Sequence, residues 1–170
     1  AVAPTGTMGR TKRWAEEWLR HASGGEAPPT AIARLCNLFG SRGSVVPKAQ
    51  RRLAAGVPVP VTHPDIQRWM MTPSDGTRIV LRVAAERPGT VVPTACVEVR
   101  IPDLIRRLIR HMRPEADPAG WIECTGPRPG ERLREPRWGR HETPAEEGEV
   151  EGFLHLTCPS SPEWIDTDLE

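Results

Sequence analysis

Residues 30–55 read TAIARLCNLFGSRGSVVPKAQRRLAA, and this stretch decides the fold class. Residues 30–36 are short, apolar and alternating, a pattern that is typical of a buried strand. The glycines and serines of residues 40–44 predict a turn. Pro47 stands in the first turn of segment 47–55, where proline favours the start of a helix. A strand, a turn and a helix in succession predict an α/β fold.

The alternation of helices and strands continues on both sides of this stretch. We expect helices at residues 8–22, 47–55, 75–85 and 101–112, and strands at residues 30–36, 57–62, 67–71 and 121–124. Residues 101–112 give the clearest pattern, because their apolar positions recur every three to four residues and form one stripe. Residues 136–170 are acidic, contain prolines and lack a period, which predicts a loose, disordered tail.

Composition restricts the possible partners. The formal net charge of +1 gives no electrostatic reason to expect nucleic acid or an anionic membrane as a partner. Only Lys12 and Lys48 among the 23 basic residues are lysines. The abundance of arginine is explained either by codon usage in a GC-rich genome or by a need for phosphate ligands, since the guanidinium fork suits phosphate oxygens.

Cysteine and histidine spacing predicts no metal site. The four cysteines lie far apart and the five histidines show no ligand spacing. We therefore expect reduced thiols rather than a disulfide frame. No signal peptide is recognisable, and no apolar run approaches the roughly 18 residues that span a bilayer. These features predict a soluble, cytoplasmic protein.

Four local features have both an ordinary and a functional interpretation. Met8 and Lys12 are four residues apart on one predicted helix and so share a face. Asn37 precedes the glycine turn, which is either a plain loop or part of a ligand cradle. Arg68 precedes an apolar run, and residues 128–131 (Arg-Pro-Gly-Glu) form a bend that can aim an arginine and a carboxylate in one direction.

Taken together, these features resemble one known family. The resemblance is carried by AVAPTGTMGRTKRWAEEWLR (residues 1–20), RLCNLFGSRGSVVP (34–47), VPVTHPDIQRWMMT (59–72) and TGPRPGERLRE (125–135). These segments are similar to the polysaccharide-biosynthesis branch of the extended short-chain dehydrogenases, best known for the NAD(P)-dependent 4,6-dehydration of UDP-N-acetylglucosamine to a 4-keto-6-deoxy sugar. The likeness runs from residue 1 to about residue 135.

The resemblance implies a fold. The chain would be the C-terminal part of an extended short-chain dehydrogenase, with an incomplete NAD-binding Rossmann fold and a small α/β substrate lobe. Residues 1–37 would be the last helix and strand of the Rossmann part. Residues 38–135 would form the nucleotide-sugar lobe, and residues 136–170 the tail.

The resemblance also implies roles on the cofactor side of the site. Most short-chain dehydrogenases use a tyrosine four residues before a lysine as their acid and base. This sequence has no tyrosine, and Met8 stands at that position, as in one large group of the dehydratases. Lys12 matches the lysine that holds the nicotinamide ribose of NAD(P) and supplies positive charge near the reacting centre.

On the substrate side, the resemblance implies a UDP-sugar site. Asn37, Ser44 and Val45 match the loop that lines the nucleotide-sugar pocket. Arg68 and Arg128 match the arginines that clamp the UDP diphosphate, and Glu131 matches the carboxylate that accepts hydrogen bonds from the uridine ribose. We therefore expect Arg68 and Arg128 to converge, with Glu131 close by and with Asn37 and residues 44–47 forming another wall.

The sequence also departs from the family pattern. The family's proton-transfer aspartate and lysine, and its glycine-rich dinucleotide fingerprint, precede the position of Ala1. Cys36 replaces a glycine, and Pro93 interrupts a strand that should be central, where it removes a ladder donor. Residues after 135 do not resemble the family. We therefore expect the chain alone to be inactive and to bind no NAD(P).

Three hypotheses remain open. The chain is a piece of a 4,6-dehydratase, either a fragment that is inactive alone or one part of a split enzyme completed by a separate N-terminal Rossmann half. Alternatively, it is an epimerase of the same superfamily, or a non-catalytic remnant or scaffold that binds UDP. In each case we expect weak binding of a UDP-sugar. We also expect an exposed apolar face on helix 8–22, including Trp14 or Trp18, and therefore self-association.

Overall fold

The computed structural model describes residues 2, 4–22, 30–85, 89–93, 96–139, 142–150 and 153–157. In chain order the elements are α1 (Thr7–Ala22), β1 (Ala31–Ala33), β2 (Asn37–Leu38), α2 (Val45–Ala54), β3 (Val59–Val61), β4 (Gln67–Met71), α3 (Pro73–Ala85), β5 (Gly89–Pro93), β6 (Val97–Arg100), α4 (Ile101–Met112), β7 (Ile122–Cys124), β8 (Thr143–Val150) and β9 (Phe153–Thr157). A short 3₁₀ helix, Pro118–Trp121, precedes β7.

The chain divides into two compact units. The first comprises Ala1–Leu35, Thr77–Ala95 and Pro136–Glu170, and the second Cys36–Gly76 and Cys96–Glu135. The second unit covers most of the lobe expected at residues 38–135. Residues 77–95 of that expected lobe group with the first unit instead.

Most predicted elements are confirmed. The ranges of β4 and α4 agree with the sequence-based ranges to the residue. Helix α4 has Pro102 in its first turn, Asp103 near its N-terminus and Arg110 near its C-terminus. This is the charge order that the helix dipole favours.

The second unit contains a three-stranded and a two-stranded sheet. The three-stranded sheet has the order β2-β4-β6, with β2 parallel and β6 antiparallel to β4. Strands β3 and β7 pair in parallel. Helices α2 and α4 cover the core through their apolar stripes, and Leu53, Ile105 and Ile109 are fully buried. Complete burial of such a side chain contributes about 1.5–3 kcal/mol.

The first unit contains a four-stranded sheet of order β1-β5-β9-β8. Strand β5 is parallel to β1 and antiparallel to β9. Pro93 is the last residue of β5 and lies opposite Phe153, beyond the three residues that pair with β1. Proline is tolerated here because the strand ends at it, so the missing ladder donor does not interrupt the pairing with β1.

The expectation of a loose tail is wrong for residues 143–150 and 153–157, which are β8 and β9. These strands pair with each other, and β9 also pairs with β5. The acidic sequence TPAEEGEV of β8 has no strand-like alternation. Its extended form therefore depends on pairing with β9, which follows it in sequence and is itself paired with the distant β5, a tertiary effect that outweighs local propensity. Residues 158–170 lie outside the described part of the chain.

The prediction of four reduced cysteines is wrong for Cys36 and Cys96, which form a disulfide across 60 positions of sequence. Their Cα atoms lie 6.6 Å apart, within the range of a bridge. Each cysteine directly precedes an outer strand of the sheet β2-β4-β6, so the fold brings the two together although the sequence separates them. Cys124 is a free, exposed thiol, and Cys158 lies outside the described residues.

Helix α1 exposes apolar side chains, as expected. Met8, Trp14 and Trp18 are 80%, 57% and 70% exposed, and Glu17 is the buried residue of this helix. Among the residues described, no helix combines the length and apolarity needed to cross a membrane. Within the same residues, no group of three or more histidine, cysteine or acidic side chains is arranged to hold a metal ion.

Candidate functional site

The loop that follows β7 is built around a tight turn. The main-chain N–H of Thr125 donates to the carbonyl of Val61 and extends the pairing of β3 with β7. Further along the loop, the N–H of Glu131 donates to the carbonyl of Arg128 over 2.9 Å, and Gly130 has a φ of 74°. Proline at the second and a positive-φ glycine at the third position fit a type II turn. The sequence Arg-Pro-Gly-Glu therefore sets the shape of this loop.

The carboxylate of Glu131 joins the turn to β4. One oxygen accepts the main-chain N–H of Arg128 over 3.1 Å, and the other lies 3.4 Å from Nη2 of Arg68. The side chains of Arg68 and Glu131 are 17% and 18% exposed. The side chain of Arg68 and the main chain of Arg128 thus contact the same carboxylate, although these residues are 60 positions apart in sequence.

The guanidinium of Arg68 also binds main-chain carbonyls. Its Nη1 donates to the carbonyl of Gln67 over 2.7 Å and to that of Arg132 over 2.9 Å. The N–H of Gln67 donates to the carbonyl of Leu133 over 2.7 Å. Hydrogen bonds from a charged donor are stronger than neutral ones. Arg68 therefore anchors residues 131–133 against the edge of β4.

Glu135 ends the loop and connects it to β2. Its Oε1 lies 3.3 Å from Nε of Arg68, and its Oε2 lies 3.5 Å from Nδ2 of Asn37. Its main-chain carbonyl accepts the indole N–H of Trp69 over 2.9 Å. The amide of Asn37 also donates to the carbonyl of Trp69 over 3.0 Å. These contacts place an exposed amide, an arginine and two carboxylates together.

Ser44 and Val45 lie at the start of α2, after the glycine turn. Gly40 and Gly43 have φ values of 72° and 82°, which side-chain-bearing residues rarely adopt. Ser44 is the N-cap residue, but its hydroxyl makes no cap hydrogen bond. That hydroxyl is buried and has no hydrogen-bond partner among the described residues. Val45 is half-buried against the core.

Arg128 presents its side chain to solvent. The residue is exposed, and its guanidinium makes no hydrogen bond or ion pair with the part of the chain that the structure describes. The charge of Arg128 is therefore accessible to a ligand, whereas that of Arg68 is engaged by carboxylates and carbonyls.

The structure thus brings together four of the predicted residues: Arg68, Glu131 and the main chain of Arg128 directly, and Asn37 through Glu135. Ser44 and Val45 belong to the same unit but share no described hydrogen bond with this group. Met8 and Lys12 belong to the first unit, where both are exposed one turn apart on α1.

Sequence reasoning missed Glu135 and Trp69. Glu135 closes the motif TGPRPGERLRE, so a signal was present in its position. Its function as a bridge depends on the packing of the loop against β4, which the motif alone does not reveal.

A second charged cluster, in the first unit, was also missed. Nη1 and Nη2 of Arg34 each donate to Glu142 over 2.6 Å, and Nη2 also donates to Glu16 over 2.7 Å. Burial raises the pKa of Glu142, but the hydrogen bonds from Arg34 and from the Gly139 N–H outweigh it and lower the pKa to about 2. Burial also raises the pKa of Glu16, but the hydrogen bonds and the charge of Arg34 outweigh it, so this pKa is lowered. This cluster is structural, since it joins α1 to the residue that follows β1 and to the residue that precedes β8.

Comparison with known proteins gives the relatives of this chain. The family described as polysaccharide biosynthesis protein matches residues 1–154, so the expectation that the likeness ends at about residue 135 is wrong. CapD of Staphylococcus aureus, a capsular polysaccharide biosynthesis protein, is 37% identical over 145 residues, which cover 84% of this chain and 24% of CapD. EpsC of Bacillus subtilis, a probable polysaccharide biosynthesis protein, is 35% identical over 149 residues, covering 86% of this chain and 25% of EpsC. The chain thus spans about a quarter of the length of these relatives.

Solved structures show the same fold. Pen from Bacillus thuringiensis superposes with a TM-score of 0.78 and 22% identity, over 94% of this chain and 50% of Pen. DesIV of Streptomyces venezuelae, a dTDP-glucose 4,6-dehydratase solved with NAD bound, gives a TM-score of 0.60 and 21% identity, over 68% of this chain and 37% of DesIV. The expected fold class, part of an extended short-chain dehydrogenase, is confirmed.

Proposed function

Because the chain belongs to the polysaccharide biosynthesis protein family, we propose that it is the substrate-binding part of an NAD(P)-dependent nucleotide-sugar 4,6-dehydratase. Its substrate would be UDP-N-acetylglucosamine, converted to a 4-keto-6-deoxy sugar. The observation that supports this most is the turn 128–131 fixed on Arg68 beside Asn37. Two arginines and an amide at one loop suit a diphosphate, whose oxygens accept paired, charge-assisted hydrogen bonds.

Each predicted site residue of the second unit has a role in this proposal. The accessible guanidinium of Arg128 binds the diphosphate, and one edge of the Arg68 guanidinium binds it as well. Glu131, held by the Arg128 N–H, accepts hydrogen bonds from the ribose hydroxyls. Asn37 contacts the sugar, and Ser44 and Val45, at the start of α2, line the pocket around it.

The described residues offer a partner for a ribose of the cofactor but none of the turn that binds its pyrophosphate. Lys12 is exposed on α1 and can hold a ribose, but the described residues contain no G-x-G-x-x-G turn of the kind that a dinucleotide pyrophosphate requires. NAD(P), when bound, supplies the hydride chemistry that makes a 4,6-dehydration redox-neutral. Met8 cannot move a proton, because a thioether has none to give at neutral pH. Lys12 therefore acts by its charge and position.

The proposal predicts binding without turnover for these 170 residues. UDP should bind weakly and lose affinity as salt rises, and UDP-N-acetylglucosamine with NAD⁺ should give no 4-keto-6-deoxy product by NMR. Arg128→Ala or Arg68→Ala should each cost about 1.5–3 kcal/mol of UDP binding, the usual worth of a charged hydrogen bond. Arg107→Ala, an exposed arginine of α4, is the matched control and should bind UDP like the unsubstituted chain.

Three results would count against the proposal. They are turnover by the chain alone, absence of UDP binding at low salt, and an equal loss for Arg107→Ala and Arg128→Ala. Addition of a dinucleotide-binding half from the same family separates the dehydratase from a non-catalytic remnant, since only the dehydratase gains activity. A cytoplasmic location stays a prediction.

A further inference from the structure

The carboxylate of Glu135 occupies two of the donors that the proposed site offers to a ligand. It lies 3.3 Å from Nε of Arg68 and 3.5 Å from the amide of Asn37. Two oxygens of one phosphate group can bridge an arginine and an amide in the same way. The internal carboxylate thus imitates the expected ligand.

The geometry favours exchange of this carboxylate rather than a fixed structural role. Both contacts of Glu135 are long, and its side chain is 45% exposed, so water reaches the ion pair. Such exposed ion pairs are weak. The guanidinium of Arg68 stays in place without Glu135, because its Nη1 donates to the carbonyls of Gln67 and Arg132.

Glu131, the other carboxylate on Arg68, has an equally long contact with this arginine, at 3.4 Å, but it is less exposed and has a second anchor. It is 18% exposed, and its second oxygen is held by the N–H of Arg128. The main chain of Glu135 is anchored through its carbonyl, which accepts the indole N–H of Trp69. The side chain of Glu135 can therefore rotate away while the loop keeps its position.

We propose that Glu135 is an internal competitor at an anion site formed by Arg68 and Asn37, and that a diphosphate ligand binds there by displacing its carboxylate. The identification of the ligand as a nucleotide diphosphate rests on the proposed function, but the anion site itself does not. Glu135 therefore sets the affinity of the site, and loss of its charge strengthens anion binding.

The test is a titration of the 170-residue chain with inorganic pyrophosphate, followed by the NMR signal of the Arg68 Nε–H group. Glu135→Gln should bind pyrophosphate about two- to fivefold more tightly, the effect of removing one exposed ion pair. The Arg68 signal of this variant should also be shifted before any pyrophosphate is added. Glu98→Gln is the control, because it removes the same charge from a carboxylate that pairs with Arg134 instead; its affinity should stay unchanged.

Weaker or unchanged binding in Glu135→Gln would overturn the inference, since Glu135 would then only position Arg68. No pyrophosphate binding by either protein would overturn it too. If Glu135→Gln fails to fold, Glu135→Asn is measured in its place with the same expectation. Tighter pyrophosphate binding with no preference for UDP over pyrophosphate would support the anion site and contradict the proposed nucleotide-sugar function, so the two failures are distinguishable.

Discussion

At the scale of single residues, the burial and hydrogen bonds of Glu142 affect how stability depends on pH. Glu142 is 9% exposed, and hydrogen bonds from Arg34 and from the Gly139 N–H stabilise its charged form. Its pKa falls from 4.5 to about 2 despite burial, which acts in the opposite direction. The charged form is thus favoured more in the folded than in the unfolded chain.

This lowered pKa predicts a loss of stability in acid. The stabilisation is complete above the unfolded pKa of about 4.5 and disappears as pH falls towards 2. It amounts to roughly 3 kcal/mol, at 1.36 kcal/mol per pKa unit. Urea unfolding at pH 7 and pH 2.5 measures it. Glu142→Gln should remove most of the difference, whereas Glu98→Gln should keep it; equal pH dependence in both variants would refute the assignment.

Sequence patterns anticipate residues whose role is local and miss residues whose role depends on distant partners. The turn at residues 128–131 follows from Pro129 and Gly130 themselves. The pairs Arg34–Glu142 and Cys36–Cys96 join positions 108 and 60 apart. No periodicity in the sequence encodes such a pair, because each partner taken alone is equally compatible with a solvent-exposed position.

At the scale of elements, the turn of residues 128–131 depends on one glycine. Gly130 has a φ of 74°, where a side chain costs roughly 1–2 kcal/mol. Gly130→Ala should therefore destabilise the loop by about that amount and weaken UDP binding. Gly120→Ala is the matched control, because a Cβ there meets open space and its φ is not positive. Thermal unfolding and UDP titration of both variants check this; equal effects would show that the turn is not required.

Elements with their own apolar period were predictable, and elements without one were not. Helix α4 agrees to the residue because its buried stripe and its end charges all indicate the same segment. Strands β8 and β9 were missed because the acidic segment β8 is extended by pairing with β9, which in turn pairs with the distant β5. Residues 77–95 group with the first unit, which the continuous resemblance to the family could not show.

At the scale of the whole molecule, the exposed apolar face of α1 predicts self-association. Trp14 and Trp18 are 57% and 70% exposed, and burial of such aromatic surface is a strong driving force for association. Trp18→Glu should shift the chain towards monomer in sedimentation equilibrium. Leu81→Glu is the matched control, since Leu81 of α3 is 67% exposed in the same unit. A chain that stays monomeric at high concentration would contradict the prediction.

The central claim is that the second unit carries a nucleotide-diphosphate site at Arg68, Arg128 and Glu131. A crystal structure of the chain with UDP tests it most directly. We predict that both guanidinium groups contact the diphosphate, that Glu131 accepts hydrogen bonds from the ribose and that Glu135 has turned away from Arg68. UDP bound elsewhere, or the guanidinium groups of Arg68 and Arg128 on opposite faces of the unit, would contradict the claim.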